Sequence, residues 1–134
     1  MKVPFHPGLY DPEGGDLTLS GARCGRCGSV FFPPYEIGCE VCGAPGTALR
    51  REQLAAAGIV HSVATVHLHA GGDITAPFTM AEIRLDDGPL IRATLTDVAD
   101  PAVIGSRAEG RWVPVRTDDA GAEVTELRFA VAEP

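Results

Sequence analysis

Four cysteines carry the clearest chemical signal in the sequence. They form two C-x2-C-G knuckles separated by eleven residues, and the candidate ligands are Cys24, Cys27, Cys39 and Cys42. Two residues between cysteines let one tight turn aim both thiolates at a single ion, and two facing turns complete a tetrahedron. Gly28 and Gly43 follow the second cysteine of each knuckle, where the turn favours a positive φ. The spacing therefore predicts one bound metal ion.

Structural zinc is the predicted metal. Four thiolates close the coordination shell and leave no position for water, which argues against catalytic zinc. Iron suits the same ligands and is the alternative metal. Disulfides or free buried thiols are the alternative to a metal, but a reducing compartment disfavours disulfides. A loop-rich segment this short buries too little apolar surface to fold alone, so the metal would stabilise it.

Three histidines give a weaker signal. His61, His67 and His69 share one face of a predicted strand, and the pair His67-x-His69 could bind a metal or transfer protons. The alternative is a solvated or partner-facing strand face, which is favoured because no carboxylate motif accompanies the pair. The sequence also lacks a nucleophile elbow, a P-loop and a dinucleotide fingerprint. With all four cysteines committed to metal, no catalytic residue is predicted.

Arginines on the outer faces of predicted strands could form an anion site. Arg84, Arg92 and Arg128 would meet phosphates of a nucleic acid or of a nucleotide-like cofactor if their strands were neighbours. The alternative, ordinary salt bridging, would use the acidic residues Glu82, Asp86 and Glu126.

Charge and length limit the classes of function. The chain has 134 residues, enough for one domain or a small module plus one compact domain. Its net charge is −7, and a four-thiolate metal site would make it about −9. Such a chain is repelled by nucleic acid and by anionic membranes, so neither is a predicted partner. No apolar run approaches about 20 residues, and no signal sequence is recognisable, so a cytoplasmic location is predicted.

The cysteine module must be positioned by the elements around it. Prolines and glycines make residues 1–22 an irregular lead-in, which Phe5, Leu9 and Tyr10 could dock onto the rest of the chain. Residues 23–46 are the zinc ribbon. Residues 47–57 are a connector whose composition leaves helix or strand open. Residues 58–134 form the second unit, where the apolar pattern changes to a period of two.

Five short strands are predicted after residue 58. The first places Val60, Ala64, Val66 and Leu68 on one face. The second and third place inward the residues Ala81, Ile83, Leu85, Ile91, Ala93 and Leu95. Strong turn signals stand at 86–89 and 118–121, and a short helix or turn is expected around 97–103. The fold class is therefore mostly β, with a five-stranded OB-fold barrel after the ribbon.

An apolar cluster lies between the two knuckles. Phe31, Phe32 and Tyr35 either present a docking surface to a partner protein or seal the ribbon against the barrel. The two interpretations stand equal, since both use aromatic side chains next to a metal site.

These motifs resemble one family. R-C-G-R-C-G-S-V-F-F-P-P followed by C-E-V-C-G is similar to the rubredoxin-like zinc ribbon of the DUF35 proteins. G-I-V-H-S-V-A-T-V-H resembles the first strand of their OB-fold, and A-E-I-R-L-D-D-G-P-L-I-R-A-T-L resembles the second and third. The resemblance covers roughly residues 20–131. It implies metal binding by the four cysteines, while AAAG stands where S-G-x-G is common in the family.

The resemblance also implies a function. DUF35 proteins accompany thiolase-superfamily enzymes that make or break carbon–carbon bonds on CoA thioesters, and they help to hold the CoA ligand. The implied role is a noncatalytic accessory subunit in a hetero-oligomer with a thiolase-like partner, with acyl-CoA at or near the interface. Arg84 and Arg92 are the candidate CoA contacts. The alternative function is a single-stranded nucleic-acid-binding OB-fold, against which the acidic charge counts.

Overall fold

The structure is a computed structural model that describes residues 1–72 and 74–132. Its strands are β1 (Lys2–Pro4), β2 (Thr18–Cys24), β3 (Val30–Phe31), β4 (Leu49–Ala55), β5 (Ala57–Val66), β6 (Phe78–Leu85), β7 (Leu90–Thr94), β8 (Arg107–Thr117) and β9 (Glu123–Val131). Single 3-10 turns occupy Gly46–Ala48 and Pro101–Val103. Residues 73, 133 and 134 lie outside the description. Within the described ranges, no helix has the length and apolar character needed to cross a membrane.

A three-stranded antiparallel sheet, ordered β3-β2-β4, carries the cysteine module. β4 occupies most of the connector, whose residue types left helix or strand open. It is a strand because it pairs with β2 along its whole length, from Thr18 opposite Ala55 to Cys24 opposite Leu49. Continuous backbone pairing therefore overrides the local helix propensity of Arg, Glu, Gln and Leu.

The five later strands form the predicted OB-fold barrel. β5 pairs antiparallel with both β6 and β8, β6 pairs with β7, and β8 pairs with β9. A parallel bridge between Leu95 and Phe129 brings the end of β7 against β9. The order β7-β6-β5-β8-β9, closing back toward β7, is that of a partly open five-stranded barrel. The mostly β fold class, ribbon followed by OB-fold, is confirmed.

The alternation of apolar residues predicts the buried face of β6 correctly and that of β5 wrongly. Ala81, Ile83 and Leu85 are buried as predicted. In β5 the pairing register shifts between Val60 and Ser62, which marks a bulge. A bulge inserts one residue and exchanges the faces beyond it. Val63 therefore packs on the core whereas Ala64 is exposed, so the prediction that Val60 and Ala64 share the inward face is wrong.

The ribbon sheet and the barrel share one core. Leu19 of β2 and Leu54 of β4 are buried in the same cluster as the barrel residues Ile83 and Phe129. The turn after β6, predicted from Asp86-Asp87-Gly88-Pro89, fastens the two parts together. Asp87 accepts a hydrogen bond from the Ala55 N–H of β4 at 3.0 Å. Within the barrel, the neighbouring Asp86 forms a two-point ion pair with Arg107 of β8. The ribbon is therefore held against the barrel by apolar packing and by this turn.

The N-terminal segment lies along the open edge of the barrel. β1 pairs in parallel with β9, and the Phe5 N–H continues the pairing by donating to the Thr125 carbonyl at 2.8 Å. Tyr10 is buried, and its ring stacks on Trp112 with centroids 5.8 Å apart. Leu9 is half-buried, and its carbonyl accepts from the Ser20 N–H. The segment thus contacts both sheets.

Candidate metal centre and neighbouring surfaces

The four cysteine sulfurs converge on one point. All four Sγ atoms lie within 4.8 Å of one another. Cys24 Sγ is 3.7 Å from Cys42 Sγ, and Cys27 Sγ is 3.6 Å from Cys39 Sγ. Zinc–sulfur bonds of about 2.3 Å in a tetrahedron require sulfur separations of about 3.8 Å, whereas a disulfide requires about 2.05 Å. The residues fit a four-thiolate metal site, and the disulfide alternative does not describe this arrangement.

The knuckle turns have the backbone geometry that the sequence predicts. Gly28 has φ of 80° and Gly43 has φ of 78°, in the left-handed region where a side chain is disfavoured. The Gly28 N–H donates to the Cys24 carbonyl, and the Gly43 N–H donates to the Cys39 carbonyl, at 2.9 and 3.0 Å. Each turn is thereby closed with its two thiols on the same side.

Hydrogen bonds to sulfur favour the thiolate form that binds metal. The Val41 and Cys42 N–H groups both donate to Cys39 Sγ at 3.4 Å. The Ser29 hydroxyl lies 3.2 Å from Cys27 Sγ, and this contact is the main cause that lowers the pKa of Cys27 to about 6. A hydroxyl that donates to a thiolate stabilises the charged form.

The pKa values of Cys24 and Cys42 are shifted in opposite directions. Backbone hydrogen bonding from Cys27 is the main cause that lowers the pKa of Cys24. The Ala44 N–H also lowers the pKa of Cys42, but desolvation and the neighbouring thiols raise it to about 11. A proton is thus retained among four crowded thiols when no cation neutralises them. A divalent ion reverses that preference, because each ligand becomes a thiolate on binding.

A small apolar cluster packs on the buried side of the metal site. Phe31, Ala44 and the ligands Cys24 and Cys39 are buried together, with Leu49 packed against them. The 3-10 turn that begins at residue 46 crosses the ribbon closely: a Cβ on Gly46 would lie 1.9 Å from the Glu36 carbonyl oxygen. Cys27 and Cys42 remain exposed, so one side of the metal site faces solvent.

The aromatic residues proposed for partner binding are not equivalent. Phe31 is only 5% exposed, so it belongs to the ribbon core and offers no surface for docking. Phe32 is half-buried and packs against the main core. Tyr35 is 38% exposed, with its ring 5.5 Å from that of Phe31. The largest exposed apolar side chains of the ribbon are instead Ile37 and Val41, at 97% and 67%.

Sequence reasoning missed Ile37 and Val41 because the docking candidates that it chose were all aromatic. Both flank Cys39, where a tight turn has no interior in which to bury an aliphatic side chain. An isoleucine or valine next to a metal-binding cysteine is therefore a usable signal of exposed apolar surface. We call the surface formed by Tyr35, Ile37 and Val41 the ribbon tip.

Two of the three arginines lie beside carboxylates. Arg84 and Arg92 are exposed on the outer face of the β6–β7 hairpin, where Arg92 lies 3.9 Å from Glu82 and Arg84 donates to the Gly88 carbonyl. Arg128 lies on β9, and its Nε donates to Glu126 at 2.5 Å. Salt bridging with the predicted acidic partners, which was the alternative to an anion site, is thus found for Arg92 and Arg128. Asp86 pairs with Arg107, which hydrogen bonds to it and holds the pKa of that carboxyl below its ordinary value.

The histidines stay apart from the metal site. His61 and His67 are exposed, and the His69 ring meets Phe78 edge-on at 5.2 Å. Across residues 1–72 and 74–132, the cysteines make up the one group of three or more His, Cys, Asp or Glu side chains close enough to share an ion.

Comparison with known proteins agrees with this architecture. Residues 14–48 match the rubredoxin-like zinc ribbon domain of ChsH2, and residues 51–113 match the C-terminal OB-fold domain of ChsH2. The chain superimposes on a structure described as Ltp2-ChsH2(DUF35) aldolase with a TM-score of 0.62 and 20% identity, covering 92% of this chain and 98% of that one. At that identity the likeness establishes the fold.

Two archaeal relatives are described as DUF35 domain-containing scaffold proteins. The protein of Methanocaldococcus jannaschii is 32% identical over 110 residues, which cover 80% of this chain and 76% of the relative. The protein of Methanothermobacter thermautotrophicus is 30% identical over 104 residues, covering 75% and 76%. With its paired cysteine knuckles followed by an OB-fold barrel, the chain belongs to the DUF35 family.

Proposed function

We propose that this chain is a noncatalytic accessory subunit of a thiolase-superfamily complex that forms or cleaves carbon–carbon bonds on CoA thioesters. The observation that carries the proposal is the cysteine site: a closed four-thiolate shell has a structural role and no position for substrate. The scaffold descriptions of the two relatives and the aldolase description of the similar fold support the same role.

The metal in this proposal is zinc. When bound, the ion supplies a cross-link between the two knuckles, while Cys24, Cys27, Cys39 and Cys42 hold it as thiolates. Elemental analysis of protein purified without added metal should find one zinc per chain. Iron would instead give a coloured protein with thiolate-to-iron absorption, and a metal-free folded protein would contradict the assignment.

The ribbon tip is the proposed docking surface for the partner subunit. Ile37 and Val41 expose apolar side chains, and covering them with a partner would remove that apolar surface from water. Tyr35 adds an aromatic ring of the type that anchors interfaces. The rigidity that the metal gives to the knuckles would hold these side chains in place before binding, which lowers the entropy cost of association.

The proposal keeps Arg84 and Arg92 as candidate contacts for CoA phosphates. Their guanidinium groups lie on the outer face of one hairpin, where Arg92 is 3.9 Å from Glu82 and Arg84 makes an exposed hydrogen bond of 3.3 Å to the Gly88 carbonyl. Such groups can exchange their partners for a phosphate at little cost.

The experiment compares two equally exposed apolar residues. Ile37→Asp at the ribbon tip should weaken association with the thiolase-like subunit at least tenfold, with metal content unchanged, because it places a charge in the interface core. Leu68→Asp is the matched control, since Leu68 is 93% exposed but lies on the barrel. Equal effects of the two substitutions would contradict docking through the ribbon tip.

Activity assays test the division of labour. The chain alone should turn over no acyl-CoA, and the partner should need the chain for full activity. An accessory subunit can raise a rate by fixing the geometry of the partner's site, without supplying a catalytic group. Turnover by the isolated chain, or a partner equally active without it, would contradict the proposal.

A further inference from the structure

The four cysteines of the candidate metal site differ in their exposure to solvent. Cys24 and Cys39, the first cysteine of each knuckle, are buried, at 1% and 5% exposed. Cys27 and Cys42, the second cysteine of each knuckle, are exposed. The site therefore presents two sulfur atoms to small solutes, while its other two sulfur atoms are packed in the ribbon core.

Each exposed sulfur lies beside a buried sulfur of the opposite knuckle. Cys27 Sγ is 3.6 Å from Cys39 Sγ, and Cys42 Sγ is 3.7 Å from Cys24 Sγ. A disulfide needs about 2.05 Å, so each pair would have to close by about 1.6 Å. The turn residues around both exposed cysteines, 25–28 and 41–43, are themselves exposed, so little packing opposes that movement.

We propose that the cysteine site is reversibly oxidised by hydrogen peroxide, with Cys27 and Cys42 as the sulfurs that react first. This inference rests on the proposed function for its metal, because a cysteine bound to a metal is a thiolate, and the thiolate is the form that attacks a peroxide. Exposure then decides which of the four thiolates react. Hydrogen peroxide in solvent reaches an exposed sulfur directly, whereas Phe31 and Ala44 pack around the two buried ones.

The reaction takes two steps for each pair of sulfurs. The Cys27 thiolate attacks one peroxide oxygen; a sulfur–oxygen bond forms, the oxygen–oxygen bond breaks, and hydroxide leaves. The Cys39 thiolate then attacks the Cys27 sulfur; the disulfide forms, the sulfur–oxygen bond breaks, and a second hydroxide leaves. Two thiolates thus lose two electrons and one peroxide is reduced. Cys42 and Cys24 react in the same way with a second peroxide.

Oxidation of either pair removes two of the four metal ligands. The affinity of the site for its metal falls, and with it the cross-link that stabilises the ribbon. Val41 of the ribbon tip directly precedes Cys42, and its N–H donates to Cys39 Sγ. Movement of these sulfurs therefore moves the ribbon tip, so oxidation should weaken docking of the partner subunit. Reduction by a dithiol in the presence of zinc should restore both.

The sequence allows each cysteine to be followed separately. Trypsin and a glutamate-specific protease place the four cysteines in four different peptides by cleaving after Arg23, Arg26, Glu36, Glu40 and Arg50. Zinc-loaded protein is treated with one molar equivalent of hydrogen peroxide while dimedone traps sulfenic acid. Dimedone should label the peptides of Cys27 and Cys42 at least tenfold more than those of Cys24 and Cys39. Equal labelling of the four peptides would overturn the inference.

The same digest without dimedone identifies the products. Excess peroxide should link Cys27 to Cys39 and Cys24 to Cys42, and a chromophoric zinc indicator should report zinc release on the same time course. Dithiothreitol with added zinc should return the protein to its metal-bound form. Disulfides within each knuckle, or sulfinic acids as the main product, would overturn the pairing across the knuckles.

A double substitution removes the exposed thiolates and keeps four metal ligands. Cys27→His together with Cys42→His leaves a two-cysteine, two-histidine set of a kind that binds zinc. The zinc of this variant should be released by peroxide at least tenfold more slowly than that of the natural chain. Release at the natural rate would overturn the role of the exposed sulfurs, and dimedone labelling of the natural chain tests that role independently.

The outcomes distinguish this inference from the proposed function. Peroxide that neither labels Cys27 or Cys42 nor releases zinc overturns the oxidation site, even if the chain binds and activates its thiolase-like partner. Disulfides across the knuckles in a chain that has no effect on the partner support the oxidation site and contradict the accessory role. An oxidised chain that binds the partner as tightly as the zinc-loaded chain overturns the link between oxidation and docking.

Discussion

Tyr10 should ionise only at strongly alkaline pH. Its ring is buried against Trp112, and its hydroxyl oxygen accepts the His6 N–H at 3.2 Å. Burial raises the pKa of Tyr10 from 10.0 to about 12, although the hydrogen bonds from the His6 and Leu127 backbone act in the opposite direction. At about 1.36 kcal/mol per tenfold change in the ionisation constant, this difference corresponds to about 3 kcal/mol.

The sign of the effect follows from the folded-state pKa lying above the unfolded value. Below pH 10 the phenol is neutral in both states, and its contribution to the free energy of unfolding is fully present. The contribution is lost as pH rises from 10 to about 12, because the unfolded chain ionises first. Tyr10→Phe should show no such loss. It should lower the free energy of unfolding by about 1 kcal/mol at neutral pH, because the His6 N–H loses its acceptor.

The assay uses the fact that the chain has two tyrosines. In a Tyr35→Phe background the remaining phenol group is that of Tyr10, so ultraviolet absorbance of the phenolate reports its pKa. Urea unfolding of that protein and of the double variant with Tyr10→Phe, at matched pH, isolates the stability difference. A titration midpoint near 10.0, or a stability difference that stays constant above pH 10, would refute the buried position of Tyr10.

Three further perturbations test the ribbon and the turn after β6. Cys39→Ser should lose the metal by elemental analysis, because it removes one ligand of a closed shell. Gly46→Ala should lower the free energy of unfolding by at least about 2 kcal/mol in urea, since its Cβ would lie 1.9 Å from the Glu36 carbonyl; Gly72→Ala, which meets nothing within 4 Å, is the control. Asp86→Asn should cost less than about 1 kcal/mol at neutral pH, because the pair with Arg107 is half exposed. That cost should disappear as pH falls from 3.8 through the lower folded-state pKa of Asp86, and a constant cost would contradict the pairing.

The metal site was predictable because its determinants are local. Two-residue spacing fixes each knuckle turn, and the glycine after each pair reports the positive φ that closes it. Alternation in β6 predicted the buried face for the same reason, since a regular strand repeats every two residues. The OB-fold class followed from five such segments and their turns.

Longer-range features left little local signal. The bulge after Val60 depends on how β5 fits between two neighbours, so alternation alone assigned Ala64 to the wrong face. The burial of Phe31 depends on β3 pairing with β2, which places that ring beneath the metal site. The pairing of β5 with β8 covers only three residues of each strand, and no residue pattern marks where such pairing stops.

The parallel pairing of β1 with β9 sets an order for events during protein synthesis. Lys2 lies opposite Glu123, so β1 has no partner until residue 123 has been translated. At about 5–20 residues per second, the wait is about 6–24 s. The ribbon pairs Thr18 with Ala55 and needs far less of the chain. We expect the nascent ribbon to bind its metal on the ribosome. The pairing of β1 with β9 would then form last.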